Sequence, residues 1–150
     1  MVQGNVGGPL IRDRVFFFAN YEYNPLKAPQ PVTINRAAAA AIGLPASDLG
    51  NSPFGETFHT PSVKMNFRAS DRNSGFVRYN RFTNDQPGAG GGLTTPSRSV
   101  SFKDRMNGVG AQLATTVGSG LLNELRFGFN RRSELRKPYG EGGANGANVN

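Results

Sequence analysis

The sequence predicts an all-β fold, an antiparallel meander of about six strands with long loops and one short helix. Three observations lead there. Apolar and polar residues alternate along several stretches, the period-two pattern of a strand with unlike faces. Six such stretches form three pairs, each joined by a short polar or glycine-rich turn, which is a hairpin signal. Finally, 20 Gly and 10 Pro make up a fifth of the 150 residues, while only 37% are hydrophobic. Ordinary domains carry about 12% Gly plus Pro, and their ~45–50% apolar share also counts Gly, so it is the Gly and Pro excess that points to a chain rich in turns.

The first hairpin, residues 3–23, joins Gln3–Ile11 to Val15–Tyr23 through Arg12-Asp13-Arg14. Val15, Phe17, Ala19 and Tyr21 lie on one face and Asn20 and Glu22 on the other. Phe16 and Phe18 add bulk to the polar side. The second hairpin, 62–83, turns around Ser70-Asp71-Arg72-Asn73. Val63, Met65 and Phe67 oppose Lys64, Asn66 and Arg68 there. The third, 102–132, turns at Gly118-Ser119-Gly120. Its last strand sets Leu125, Phe127 and Phe129 against Glu124, Arg126, Gly128 and Asn130. Residues 24–61 form a long connection, entered through "NPLKAPQPV". It contains one short helix in "NRAAAAAIG", with Asn35 as the expected N-cap and Gly43 as the stop. Residues 84–100, with "GAGGG", read as a mobile loop. The Gly/Asn-rich tail 137–150 has nothing to bury and is expected to be disordered.

Charge and composition exclude several classes. There is no Cys, hence no disulfide framework, thiolate metal site or Cys nucleophile. The formal net charge is +7, but the 17 basic residues are spread along the chain and mixed with 10 acids. A solvated polar face accounts for that distribution better than a polybasic binding block. The start "MVQGNVGG" lacks the pattern of a signal peptide. No stretch approaches ~18 consecutive apolar residues, so no transmembrane helix is expected. Barrel strands escape that criterion because they alternate.

An apolar face opposite a polar one suits a soluble antiparallel sheet or a membrane barrel. Several features fit the barrel. The polar faces mix small and long charged residues, as a wet interior would. Short turns alternate with long loops, and strands reach the ~9–11 residues of a tilted membrane strand. The pattern alone leaves barrel and soluble β-sandwich both open.

Particular residues go further. Gly7-Gly8-Pro9, the turn Arg12-Asp13-Arg14 and the run Phe16-Phe17-Phe18-Ala19-Asn20-Tyr21-Glu22 follow one another. Then come "NFRASDRNSGFVRYNRF" and "LLNELRFGFNR", in that order. Together these resemble barrel strands of the Oar-like TonB-dependent transporters of the bacterial outer membrane, over roughly Gln3 to Arg136. The resemblance implies that 1–136 is a partial transmembrane β-barrel, with Phe17, Tyr21, Met65, Phe67, Leu125, Phe127 and Phe129 toward lipid. Asn20, Glu22, Lys64, Arg78, Glu124 and Arg126 would face the lumen. It also implies outer-membrane lipid, a plug domain and further barrel strands as partners, with TonB reached only through segments that nothing in these residues resembles. Six strands cannot close a barrel of about 22, so the chain is expected to be a piece of a larger one. No substrate is indicated.

No catalytic, cofactor-binding or metal-ligating set emerges. His59 is the one histidine, with no carboxylate at ligand spacing, and the acids stand singly. "GNVGG" lacks the strand and helix that a phosphate loop needs. The rival reading is a soluble basic β-domain that binds single-stranded nucleic acid. It rests on "RNSGFVRY", where Arg72, Gly75, Phe76, Val77 and Tyr79 fit an RNA-recognition octapeptide. Alternation puts Phe76 and Tyr79 on opposite faces, however, and base stacking wants its rings on one. Nucleic acid is therefore not the expected partner. A secreted adhesion sandwich is the other soluble alternative.

Overall fold

The computed structural model of the chain describes residues 1–52, 54–88 and 90–138. The chain is almost entirely β. Strands β1 (Val2–Ile11) and β2 (Val15–Lys27) open it. There follow β3 (Gln30–Val32), helix α1 (Arg36–Ala41), β4 (Gly50–Ser52) and β5 (Gly55–His59). Four long strands complete it: β6 (Ser62–Ser70), β7 (Asn73–Gln86), β8 (Val100–Val117) and β9 (Leu121–Pro138).

The large sheet runs in the order β1-β2-β5-β7-β8-β9, and β6 also pairs with β2 and β7. β5 and β6 thus occupy one place between the same neighbours, interrupted at Thr60 and Pro61. Pro61 has no N–H to give to a ladder. The pairing continues on either side of it. Thr60 N donates to the Glu22 carbonyl at 2.9 Å, and Arg81 N donates to the Pro61 carbonyl at 2.9 Å. Counted by place, the sheet is an antiparallel meander of six.

The turns follow local chemistry. Arg14 N donates to the Ile11 carbonyl at 3.1 Å, and Asp13 takes φ +59°, a conformation that Asp tolerates better than most residues. In the second turn the Ser70 hydroxyl accepts from Arg72 N at 3.3 Å and from Asn73 Nδ2 at 2.9 Å. The helix begins and ends where its caps predict. The Asn35 carboxamide oxygen accepts from Ala37 N at 2.8 Å, and Gly43, at φ +70°, closes the C-terminus.

The strands outrun the expected hairpins. The first runs to Lys27 rather than 23, the second to Gln86 rather than 83, and the third covers 100–138 rather than 102–132. Alternation fades in those extensions because both faces there are polar. A hydrogen-bonded ladder needs only backbone groups, so it continues regardless. β5 was hidden in the expected loop 24–61 because Pro61 reads as a break between it and β6. Lys137 and Pro138 end β9, and the rest of the expected disordered tail, 139–150, lies outside the described residues.

The chain divides into two compact units. One comprises Met1–Asn24, Phe58–Thr83 and Arg105–Ser133, and it holds the alternating parts of the long strands. The other contains Pro25–Thr57, Asn84–Asp104 and the chain from Glu134. In this second unit β3 and β4 pair, and the two loop segments hold each other. Thr33 N donates to the Gly92 carbonyl at 2.8 Å, Gly92 N to the Pro31 carbonyl at 2.9 Å, and Gly90 N to the Ser52 hydroxyl at 2.8 Å. Ala39 of α1 is the sole buried hydrophobic residue among those described.

One strand position tolerates no side chain. A Cβ on Gly75 would collide with the backbone carbonyl of Gln112 and approach the Phe67 ring to 2.9 Å, whereas one on Gly128 would meet nothing within 4 Å. Gly75→Val should therefore cost about 1–3 kcal/mol through forced strand separation. Gly128→Ala should be neutral or mildly stabilising. Urea titrations of the two variants followed by circular dichroism separate these outcomes.

Candidate functional site

Side chains on a strand alternate between faces, and residues directly opposite one another on paired strands share a face. The register therefore assigns each side chain of the first unit to one side. In the β2–β6 pair, Val15 faces Phe67, Phe17 faces Met65 and Ala19 faces Val63. In the β6–β7 pair, Val63 faces Tyr79, Met65 faces Val77 and Phe67 faces Gly75. On β1, Val6 faces Ala19 and Gly8 faces Phe17. The Tyr79 hydroxyl donates to Asn107 Oδ1 at 2.7 Å, which carries the same face onto β8, where Val109, Ala111 and Leu113 follow in alternation. On β9 the same period holds Leu125, Phe127 and Phe129 together. This face is apolar on every long strand.

No element among the described residues covers it. Leu125 is 67% exposed, Phe127 60% and Phe129 55%, and Val63, Met65, Val77, Tyr79 and Leu113 are exposed as well. The apolar band has a polar upper limit. On β7 Tyr79 is followed by Arg81 and Thr83, on β8 Val109 is preceded by Asn107 and Arg105, and on β9 Phe129 is followed by Arg131. On β2 the band ends in Tyr21 and Tyr23. Both stand against His59, with ring centroids 6.1 and 5.1 Å away, and the Tyr21 hydroxyl is 2.7 Å from His59 Nδ1. Val15 to Tyr23 covers about 26 Å along the strand at ~3.3 Å per residue. At a barrel tilt of ~35–45° that is roughly 20 Å of height, close to the ~25 Å apolar band of outer-membrane barrels.

The opposite face is polar and organised in rows. Asn5 faces Asn20, Asn20 faces Ser62, and Ser62 faces Asn80. A Cβ on Gly108 would meet Asn80 Nδ2 at 2.9 Å and Asn130 Oδ1 at 2.6 Å, so the amide row continues across β8 to β9. Asn20 Oδ1 is buried in this row without a hydrogen-bond partner. The next row contains Phe18, Lys64 and Arg78, with Lys64 facing both of the others. The row after that contains Phe16, Asn66 and Phe76, again directly opposite one another. The Lys64 ammonium sits 4.6 Å above the Phe76 ring. Phe16, Asn66, Phe76 and Gln112 line an open depression of about 450 Å³. Phe16 and Phe18, which break the sequence alternation, are thus accommodated among glycines and cations on the polar face. A Cβ on Gly7 would lie 3.2 Å from the Phe18 ring.

All six residues expected on the polar side lie there, but they do not form one cluster. Lys64 and Arg78 are directly opposite. Glu124 accepts from Gln112 and from Arg126, the latter at 2.8 Å. Asn20 belongs to the amide row, and Glu22 faces Gln3 on β1. Period-two alternation already sets Gly110 and Gln112 opposite Val109, Ala111 and Leu113, while Asn80 was not singled out as a member of this surface. Counting outward from the turn at 70–73 would pair Lys64 with Tyr79; the register shift between Arg68 and Ser70 moves the pairing by one residue and sets Lys64 against Arg78 and Ser62 against Asn80.

Among the described residues no group of three or more His, Cys, Asp or Glu could hold a metal ion. No helix among them is long and apolar enough to cross a membrane, which does not bear on strands. Comparison with protein-family models, curated proteins and solved structures finds no match for this chain.

The Glu124–Arg126 pair is solvent-accessible, with 34% and 71% of the two side chains exposed. Exposed pairs contribute ~0–1 kcal/mol. Glu124→Gln should therefore shift the urea midpoint by less than the equivalent of about 1 kcal/mol. A larger loss would mean that the contact of Glu124 with Gln112 anchors β9 to β8.

Proposed function

We propose that the chain forms a stretch of the wall of an outer-membrane transport barrel of the Oar-like TonB-dependent type, its apolar face toward lipid and its polar face toward the lumen. One observation carries this reading: an uncovered apolar face running across all the long strands, bounded by polar residues and backed by a polar face. Burying a Val, Leu, Phe or Met side chain stabilises a fold by about 1.5–3 kcal/mol. Met65, Val77, Leu113, Leu125, Phe127 and Phe129 are on average about half exposed, so leaving them in water forgoes roughly 5–9 kcal/mol, comparable to the net stability of a typical domain. Hydrocarbon removes that deficit.

The sheet edges support the same conclusion. β1 and β9 end the strand order, so each has one side without a partner among the described residues. In lipid an unpaired backbone group costs several kcal/mol, and only a closed barrel avoids it. The missing neighbours are, on this reading, further strands of a parent chain, whose plug domain would engage TonB. Transport belongs to that whole. This segment contributes wall, and the second unit supplies the long connections.

An antibody against residues 24–61, applied to fractionated source cells, tests the reading. It expects an outer-membrane band well above 16.1 kDa. A soluble band near 16.1 kDa contradicts it, and an outer-membrane band of that size retains the membrane and removes the parent chain. Phe127→Arg should destabilise the membrane-inserted sheet by about 2–4 kcal/mol, the penalty for Arg on a lipid face near the midplane. Asn130→Arg, on the polar face, should cost little. Equal costs in a denaturant titration in lipid vesicles would contradict the facing.

A further inference from the structure

Two cations oppose each other at the centre of the polar face. Lys64 and Arg78 are direct register partners in the β6–β7 pair, which puts their Cβ atoms about 4.5–5.5 Å apart. Like charges so placed destabilise a strand pair. Among the described residues neither side chain has an ion-pair partner. Glu124, an acid of the same face, is engaged by Arg126 and Gln112.

The surroundings accommodate the pair without neutralising it. Arg78 lies across Gly110, where a Cβ would meet its Nε at 2.9 Å and its Cγ at 3.3 Å, so the absence of a side chain on β8 makes room for the guanidinium. Lys64 rests over the Phe76 ring, whose negative face offsets part of its charge. Arg78 is exposed and Lys64 half-buried, so solute can reach both. Amide donors flank them on the same face, Asn66 below and Asn80 above.

We propose that Lys64 and Arg78 form a binding site for the oxyanion group, carboxylate or phosphate, of a small solute passing along the polar face. The guanidinium fork accepts two oxygens of such a group side by side, the ammonium supplies a second positive charge, and the Asn66 and Asn80 amides can donate to the remaining oxygens. An anion between the cations turns a repulsive pair into a bridged one. This inference rests on the barrel-wall reading, because it identifies the kind of solute that the polar face would handle.

The test is calorimetric titration of the full chain, refolded in detergent micelles, with citrate in one arm and inorganic phosphate in the other at fixed ionic strength. Saturable binding in at least one arm is expected, and the arm that binds identifies carboxylate or phosphate as the preferred group. Lys64→Gln and Arg78→Gln should each weaken it roughly tenfold or more. Both variants should unfold at higher urea than the parent when no anion is present, because each removes the repulsion, so lost binding cannot be ascribed to misfolding. Arg131→Gln makes the same change of charge on the opposite face and should leave binding unaltered. No saturable binding, or equal weakening by all three variants, overturns the proposal. Failure of the barrel-wall reading looks different: the chain would be a monodisperse soluble monomer without detergent, and the titration could be run on that form.

Discussion

The structure depends on the placement of its apolar side chains. They lie on one face of the sheet, and among the described residues nothing lies over that face. Soluble antiparallel sheets bury such a face against a second layer, and the burial supplies most of their stability. Among the described residues the only buried hydrophobic side chain is a single alanine in a short helix, far less than a hydrophobic core. The backbone ladders hold the strands in register. Whatever covers the apolar face must supply the stability that ladders alone do not.

That constraint accounts for features that otherwise look unconnected. The polar face can carry amides, cations and phenylalanines without an organised core because it is not asked to pack against another layer. Gly7, Gly108 and Gly110 leave room there for Phe18, for Asn80 and Asn130, and for Arg78. Tyrosines end the apolar band on β2 and β7, their hydroxyls bonded to His59 and Asn107. Amphipathic rings with a polar tip suit a boundary between hydrocarbon and water. The two sheet edges without partners among the described residues fit the same proposal, since a stretch of barrel wall would have neighbours on both sides.

Much of this was legible in the sequence, for definable reasons. The turns at Arg12–Arg14, Ser70–Asn73 and Gly118–Gly120 fix the order of the hairpins, and period-two alternation gives each strand its faces. The helix caps were readable because Asn35 and Gly43 act through local backbone chemistry. Strand ends were not, because ladder bonds in β7, β8 and β9 persist where both faces are polar. β5 was concealed by Pro61, which reads as a break yet interrupts only one donor. The interlocked segments 25–57 and 84–104 were illegible, since the bonds among Pro31, Thr33, Ser52, Gly90 and Gly92 are long-range and carry no periodic signal. The opposition of Lys64 and Arg78 lies between these cases. Alternation places both on the polar face, but their direct opposition depends on the one-residue register shift between Arg68 and Ser70, which the turn residues do not reveal.

The central claim is that the apolar face meets lipid, and the absence of native cysteine makes a direct measurement clean. Single cysteines placed one at a time from Glu124 to Asn130 would be labelled with a fluorophore in the full chain reconstituted in vesicles. Quenching would be read from nitroxides carried on the lipid chains. The account predicts an alternating profile, strong at positions 125, 127 and 129 and weak at 124, 126, 128 and 130. A uniform profile, or strong quenching at the even positions, would contradict it.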